Sequence, residues 1–475
     1  MREMLLGGLA WYEYWVLIYL FAINTVYFIL LVIGLFEMLR HRAFEEAAGE
    51  GLALQLSTLM PPVSLLAPAY NESATIRESV RAMLALSYPE YEVIIINDGS
   101  TDDTLKVLID EFKLYKSAGY FETSLETRRV KAVYESMDPI PLVVIDKDNG
   151  GKADALNAGI NVSKYPLFCG VDADSLLEER SLLWVARPFV KDPDRVIAVG
   201  GTIRVANGCT VDHGRVVKVD VPQSWIARFQ TVEYLRAFLG GRVAFSAFNC
   251  LLVISGAFGL FLKSAVIAVG GYRHTTVGED MELVVRLHRW ARRNKPGYRI
   301  HFQPDPVCWT EVPESMEVLR RQRNRWQRGT IECVWMHRGM IFNPRYGSVG
   351  MFALPFFIAF EMLGPLVELV GYIICILGLY WDFIDTEIFL LLFIAAVLYG
   401  MVLSTGSIIL EELAMRRYPS VKNLLVLVVA GIVENLGFRQ LLTVWRAQAF
   451  WDLWRGKKSW GKMDRVGFVR ASPAK

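Results

Sequence analysis

Pro166-Leu167-Phe168-Cys169-Gly170-Val171-Asp172-Ala173-Asp174-Ser175 is an apolar run that ends in two carboxylates one residue apart. The run reads as a buried strand. On a strand, residues i and i+2 point to the same side, so Asp172 and Asp174 are expected to converge on one cation at the strand's end. Two hard oxygen ligands with room for phosphate oxygens suit Mg²⁺ or Mn²⁺. An Asp-rich turn after a strand fits the same residues, and the surrounding sequence has to decide.

Upstream, short apolar runs alternate with helical patterns. Residues 63–68 read as a strand, 69–73 as a turn, and a helix opens at Ser73. Residues 91–96 form a second strand that runs into Asn97-Asp98-Gly99-Ser100, and 105–115 are helical. Residues 142–145 are a third strand and 154–162 another helix. This alternation predicts an α/β domain with a mostly parallel sheet and right-handed crossovers. Ligands of such sheets sit at the carboxyl ends of the strands. Asp98, Lys152 and the Asp172/Asp174 pair all fall at or just past such ends, which points to one site. Asp98 can accept hydrogen bonds from a nucleobase imide or a ribose, and Gly99 lets the backbone turn closely; an Asx turn is the competing explanation. Asn149-Gly150-Gly151-Lys152 sets free N–H groups and a cation at a helix start, an anion-binding arrangement. It lacks the GxxxxGK spacing of a Walker loop, and a glycine turn before an amphipathic helix fits as well.

Downstream, residues 196–205 and 216–219 read as strands, 230–239 as a helix, and 249–262 as an apolar, Gly-rich segment centred on Ser255-Gly256-Ala257-Phe258-Gly259. Thr276-Val277-Gly278-Glu279-Asp280 opens a helix with two adjacent carboxylates. One of them could serve as a general base, and ordinary capping also accounts for them. On a helix Gln322, Arg325 and Trp326 share a face. Arginine forks onto a pyrophosphate and a tryptophan face stacks on a sugar ring; a basic stripe on lipid head groups is the rival explanation.

The chain is also built for a membrane. Of its 475 residues 53% are hydrophobic and its mean hydropathy is +0.30, too apolar for a purely soluble protein. A net charge of +2 gives no argument for a nucleic-acid partner. The six cysteines form no CxxC pair, which speaks against a disulfide framework or zinc site and fits a reducing cytosol. Residues 14–36 carry no charge and are long enough to span a hydrocarbon core. Arg40 and Arg42 follow, with no small-residue cleavage site, so the segment reads as an uncleaved span whose C-terminal end is cytoplasmic. Residues 43–60 read as a mixed connecting segment. Residues 351–381 read as a short interfacial helix followed by a span from about Leu363, and 388–410 as another span. Segment 421–442 is interrupted by Glu434 and Arg439 and flanked by basic residues, so a re-entrant or interfacial hairpin satisfies the charge rule better than a further span. The expected organisation is an anchor at 1–42, a cytosolic catalytic domain at 61–345, a membrane region at 346–442 and a basic, Trp-rich cytosolic tail at 443–475.

Together and in this order, Ala67-Pro68-Ala69-Tyr70-Asn71-Glu72, Asp98, Gly150-Gly151-Lys152, Asp172-x-Asp174, Gly278-Glu279-Asp280 and Gln322-x-x-Arg325-Trp326 resemble the family 2 glycosyltransferases with a GT-A nucleotide-sugar fold. The resemblance covers about residues 61–340 and is nearest to the membrane-embedded, processive cellulose, hyaluronan and poly-N-acetylglucosamine synthases. It implies that Asp98 and the Pro68–Tyr70 backbone hold the uridine of a UDP-sugar, with Glu72 in the nucleotide-binding set and Lys152 near the nucleotide. Asp172 and Asp174 would engage the sugar nucleotide and a divalent cation, and Gln322 and Arg325 the diphosphate. Asp280 would be the general base, and Trp326 with Ser255 and Gly256 would line the acceptor site. Gly278 departs from the pattern, since many relatives have Thr there. The lean membrane complement without an appended regulatory domain speaks against direct control by a bound second messenger.

The implied reaction is inverting transfer from UDP-glucose or UDP-N-acetylglucosamine to a growing β-linked glycan. The expected setting is a multi-pass protein of the inner (plasma) membrane that contacts lipid, together with export or accessory subunits. Transfer of one sugar to a lipid carrier or short acceptor is the alternative. A degenerate, non-enzymatic export subunit is the third reading, and the intact carboxylates argue against it.

Overall fold

A computed structural model of the chain describes residues 2–57, 59–118, 122–212, 214–381, 386–418 and 420–456, with side chains described from residue 11 except at 44–57, 306 and 386. Twelve strands fall within these ranges: β1 (Val63–Ala69), β2 (Tyr91–Asp98), β3 (Leu114–Lys116), β4 (Val130–Ser136), β5 (Leu142–Lys147), β6 (Leu167–Val171), β7 (Leu176–Leu177), β8 (Val196–Val205), β9 (Thr210–Asp212), β10 (Arg215–Lys218), β11 (Phe258–Leu262) and β12 (Arg299–Thr310). Ten form one sheet in the order β3-β4-β5-β2-β1-β6-β11-β8-β12-β7, and β9 and β10 form a hairpin. β5, β2, β1 and β6 run parallel. β11 is antiparallel to both β6 and β8, so β8 and its parallel neighbour β12 point the same way as the central four.

The expected α/β architecture is therefore present, with β11, β4 and β7 opposing the main direction. Val93, Ile94, Ile95 and Ile96 of β2 are fully buried, as are Leu65 and Leu66 of β1, the continuous apolar pattern of strands covered on both faces. β12 escaped the sequence reading because Pro304-Asp305-Pro306 interrupts its apolar pattern. It survives as a strand because its register against β8 shifts between Gln303 and Val307, and such irregularities are where proline is tolerated in a sheet. The 230–239 helix is observed as Trp225–Leu235, continued by a π-helical turn over Arg236–Arg242.

Among the described residues four helical segments are long and apolar enough to cross a membrane: Trp11–Ala43, Val349–Tyr380, Glu387–Ala414 and Val421–Trp454. Exposed Ile376, Leu379, Ile409 and Leu425 give them an apolar outer surface. The first helix corrects one expectation. It runs over Arg2–Ser57 and takes in the stretch expected to be a connector, because residues 43–57 are rich in the strong helix formers Ala, Glu and Leu. The 421–442 segment forms one helix and the start of another. Helix Val421–Val433 packs on Tyr399–Ala414 and Trp225–Leu235, whereas Arg439–Trp454 packs on Met316–Met336 and Gly364–Tyr380. The chain breaks between these helices at Leu436 and Gly437, the latter at φ 123°. Residues 443–454 are thus helix packed on the catalytic domain rather than a free tail; residues 457–475 of the expected tail lie outside the described residues. Buried Arg204 of β8 donates to Glu411 at 2.6 Å, which ties the sheet to the end of a membrane helix.

Candidate active site

The strand ends converge as the alternation implied. Ala69 pairs with Asn97 and Asp98 with Lys147, so β1, β2 and β5 finish level on one edge. β11 runs the opposite way beside β6, with Phe258 opposite Val171, so the Ser255–Ala257 loop enters the sheet where Asp172 leaves it. The loops after β1 and β2 are laced together. Asn71 N–H donates to Ser100 Oγ at 3.0 Å, Thr101 N–H to Asn71 Oδ1 at 2.8 Å and Glu72 N–H to Thr104 Oγ1 at 2.9 Å. Tyr70 is left half exposed.

Asp98 is not open at this edge. Its carboxylate accepts from Gly150 N–H at 3.0 Å, Gly151 N–H at 2.8 Å and Lys147 Nζ at 2.5 Å. Lys147, itself fully buried, also reaches Asp154 at 2.6 Å. The free amides that the Gly150-Gly151 sequence offered to an external anion are therefore occupied by an internal one. Gly99, at φ +67°, is required here: a Cβ would stand 2.7 Å from Asn149 N. As placed, Asp98 shapes the loop that delivers Lys152.

Lys152 is the first residue of helix Lys152–Val162. Its Nζ pairs with Asp172 and donates to Gly256 O at 3.1 Å, joining the β6 end to the Ser255–Ala257 loop. Asp172 and Asp174 are not strand neighbours, because β6 ends at Val171 and a tight turn follows in which Ser175 N–H donates to Asp172 O at 3.0 Å. The i, i+2 rule does not apply in a turn: Asp172 lines the cavity, whereas Asp174 is buried beside it.

That cavity measures about 760 Å³ and is lined by Lys152, Asp172, Ser255, Gly256, Glu279, Asp280, Gln322, Arg325 and Trp326. Pro68, Tyr70, Glu72, Asp98 and Asp174 are outside its lining. Gln322 is buried with its Oε1 unpartnered, and Trp326 carries the Arg323 guanidinium 4.4 Å from its ring centre. Asp280 sits in the first turn of helix Glu279–Asn294, where its Oδ1 accepts from Met281 N–H at 2.8 Å. The helix start is clamped to Met316–Met336. Glu332 accepts from Thr276 Oγ1 at 2.7 Å and Val277 N–H at 3.0 Å, and Gly278 lies against Gly329. The sequence reading missed Lys147, Glu332, Gly329 and Arg242, which also lines the cavity. Only Lys147 had a local signal, a lysine ending an apolar strand.

Burial and the adjacent Asp280 carboxylate push Glu279 up to about 7, against the pull of Lys152 and Arg325. Below this value Glu279 is neutral; above it, a new negative charge acts on Lys152 and Arg325. If Lys152 and Arg325 receive the diphosphate expected from the sequence, KM for the nucleotide sugar should rise about threefold to tenfold between pH 6 and pH 8. Glu279→Gln should flatten that rise, and an unchanged profile in the variant would show that Glu279 is not the group titrating.

The chain superposes with TM-score 0.52 and 16% identity on a mannosyltransferase from Pyrobaculum calidifontis solved with GDP-Man and Mn²⁺, over 89% of this chain and 99% of that one. The fold is that of the GT-A glycosyltransferases, an α/β nucleotide-sugar architecture, here accompanied by candidate membrane helices. Residues 64–240 match Glycosyl transferase family 2 and residues 168–404 match Glycosyl transferase family group 2. Together these two models span residues 64–404, and the chain belongs to the family 2 glycosyltransferases. It is 31% identical over 272 residues to a poly-beta-1,6-N-acetyl-D-glucosamine synthase of Staphylococcus epidermidis, covering 57% of this chain and 55% of the relative. It is 30% identical over the same length to the corresponding synthase of Staphylococcus aureus. The chain spans about half the length of the curated relatives it matches.

Proposed function

We propose that the protein is an inverting transferase that extends a β-linked exopolysaccharide from UDP-N-acetylglucosamine or UDP-glucose and passes the product across the inner membrane. The observation that carries this reading is the shape of the cavity. From Lys152, Asp172 and Asp280 it continues to Glu361, Leu403 and Arg446 on the membrane helices. A transferase for one sugar needs a donor pocket; one that keeps its product needs a path leading away from the base. The path is polar where it enters the membrane region: Arg446 donates to Glu361 at 2.9 Å and Thr443 to Glu368 at 2.8 Å.

In this reading Asp280 takes the proton from the acceptor hydroxyl and in-line attack inverts the anomeric centre. Lys152 and Arg325 stabilise the charge that develops on the departing diphosphate. Gln322 helps to hold the diphosphate, and Trp326, Ser255 and Gly256 bound the acceptor. Pro68, Tyr70 and Glu72 lie at the strand edge where the uridine would rest, and Asp98 serves it through the loop it braces. Among the described residues no cluster of three or more His, Cys, Asp or Glu forms a metal site. Of the two carboxylates assigned to a Mg²⁺ or Mn²⁺ in this reading, Asp172 lines the cavity, where donor phosphates would complete the coordination, and Asp174 is buried in the adjoining turn, outside the cavity lining. When bound, the cation neutralises charge on the diphosphate.

Arg40, Arg42, Arg416 and Arg417 favour a cytoplasmic catalytic domain by the positive-inside bias. The exposed apolar belt is the lipid contact, and export or accessory subunits would act at the membrane region. Sizing the product made from radiolabelled UDP-sugars by the full chain in lipid nanodiscs tests the proposal. A long polymer is expected; a lipid-soluble single-sugar product overturns processivity.

A further inference from the structure

The segment that carries Arg242 is built unlike the helix before it. Helix Trp225–Leu235 passes into the π-helical turn Arg236–Arg242, and π-turns inside helices recur at functional sites. This one is held from outside by the first membrane helix: a Cβ on Gly34 would stand 2.9 Å from Leu239 O and 3.0 Å from Gly240 O. Arg236, at the start of the turn, donates to Glu434 and to Ser404, each at 2.8 Å. Arg242, at its end, has its guanidinium 3.8 Å from the centre of the Phe238 ring. Its Nη1 is buried without a hydrogen-bond partner, in a wall of the cavity that Asp280 and Trp326 also line. Burial pushes its pKa down to about 10, which leaves it charged at neutral pH. A buried donor on a cation with nothing to accept from it is destabilising, and a ligand oxygen entering the cavity would relieve that cost.

Asp280 links Arg242 electrostatically to the rest of the site. Asp280 is within electrostatic reach of Arg242 and also of Lys152 and Arg325. Arg242 and Asp280 line the same cavity, and the Asp280 carboxylate raises the pKa of Arg242 against the effect of burial.

We propose that Arg242 binds the acceptor: supported on the Phe238 ring, its Nη1 donates to a ring or substituent oxygen of the sugar whose hydroxyl faces Asp280. The proposal rests on the synthase reading above. Hydroxyl and acetamido-carbonyl oxygens of a neutral β-linked glycan both accept such a bond. One charge-assisted contact close to the base would set the rotation of the terminal sugar, which an aromatic floor at Trp326 leaves free.

The test uses the full chain in lipid nanodiscs. Binding of the β-1,6-linked glucose trisaccharide gentiotriose, and of its N-acetylglucosamine counterpart, is read from tryptophan fluorescence, and UDP binding from calorimetry. Arg242→Gln is expected to weaken trisaccharide binding at least about tenfold, as loss of a charge-assisted bond does, and to leave UDP affinity within about twofold. Arg242→Lys should fall between, and Phe238→Leu, which keeps the charge, should show a smaller loss of the same kind. Trisaccharide affinity unchanged in Arg242→Gln, or an equal loss of UDP affinity, overturns the assignment. Thermal unfolding of each variant identifies any that misfold, and the Lys and Phe238 variants then carry the test. A wild-type protein that binds neither trisaccharide and turns over no UDP-sugar sinks the synthase reading itself. One that elongates glycan while Arg242→Gln behaves identically sinks only the role of Arg242.

Discussion

Asp280→Asn is expected to lower glycosyl transfer by about 10²–10⁴-fold, the range for removing a positioned general base, while UDP still binds. Asparagine keeps the side-chain oxygen that accepts from Met281 N–H at 2.8 Å, so the start of helix Glu279–Asn294 should remain intact. What is lost is a carboxylate in the cavity, within electrostatic reach of Arg242, Lys152 and Arg325. Neighbouring Glu279 is a poor substitute. It is buried, and above pH 7, where it would be ionised, its charge faces the donor-side cations. The measurement is single-turnover transfer from a UDP-sugar, with UDP affinity from calorimetry on the same preparation. Transfer at the wild-type rate would remove Asp280 from the mechanism and move the search for the base to Glu279.

Gly278→Thr is expected to cut turnover by about 10²-fold, the scale of a 1 Å misplacement of catalytic groups. A Cβ at position 278 would stand 2.9 Å from Gly329 Cα and 3.1 Å from Gly329 C, closer than backbone atoms tolerate. The reciprocal Cβ on Gly329 would stand 2.8 Å from Gly278 Cα. The contact joins the segment that ends in Glu279 and Asp280 to the helix that carries Gln322, Arg325 and Trp326. A side chain here would therefore move Asp280, the proposed base, relative to Gln322, Arg325 and Trp326. Overpacking of this kind costs about 1–3 kcal/mol of stability, so the variant should fold with a modestly lower Tm and a much lower kcat. Wild-type kcat in Gly278→Thr would mean that this helix pair yields freely and does not set the geometry of the site. The departure from the family pattern at Gly278 thus has a structural counterpart: in this chain the two helices meet glycine to glycine.

The elements most legible in the sequence were those with a local cause. The runs Val93–Ile96 and Leu167–Val171 are apolar throughout because their strands are covered on both faces, and Gly-Gly before Lys152 marks the helix start. Helices that alternate with parallel strands must bring loop residues to one edge, so Asp98, Lys152 and Asp172 could be placed together without coordinates. The basic Gln322–Trp326 stretch announced a helix face, and that face does meet the same cavity. Periodicity was less informative where proline broke it, as in β12, or where good helix formers carried a helix past the last apolar residue, as at 43–57.

By itself the sequence determined β1, β2, β5, β6 and β8 of the sheet, the helices between the parallel strands, the apolar spans at 14–36, 363–381 and 388–410, and which edge of the sheet carries the site, because periodicity and turn chemistry act over a few residues. The tertiary structure alone decided which groups remain available there. It closed Asp98 with Lys147, Gly150 and Gly151, and it turned Asp172 into the cavity while burying Asp174. It also joined Lys152 to Gly256 across 104 residues, set Gly278 on Gly329, and left Arg242 Nη1 without a partner. These outcomes depend on contacts between segments far apart in the chain. Whether a polar atom is already paired is a property of the packed molecule, and no local pattern in the chain encodes it.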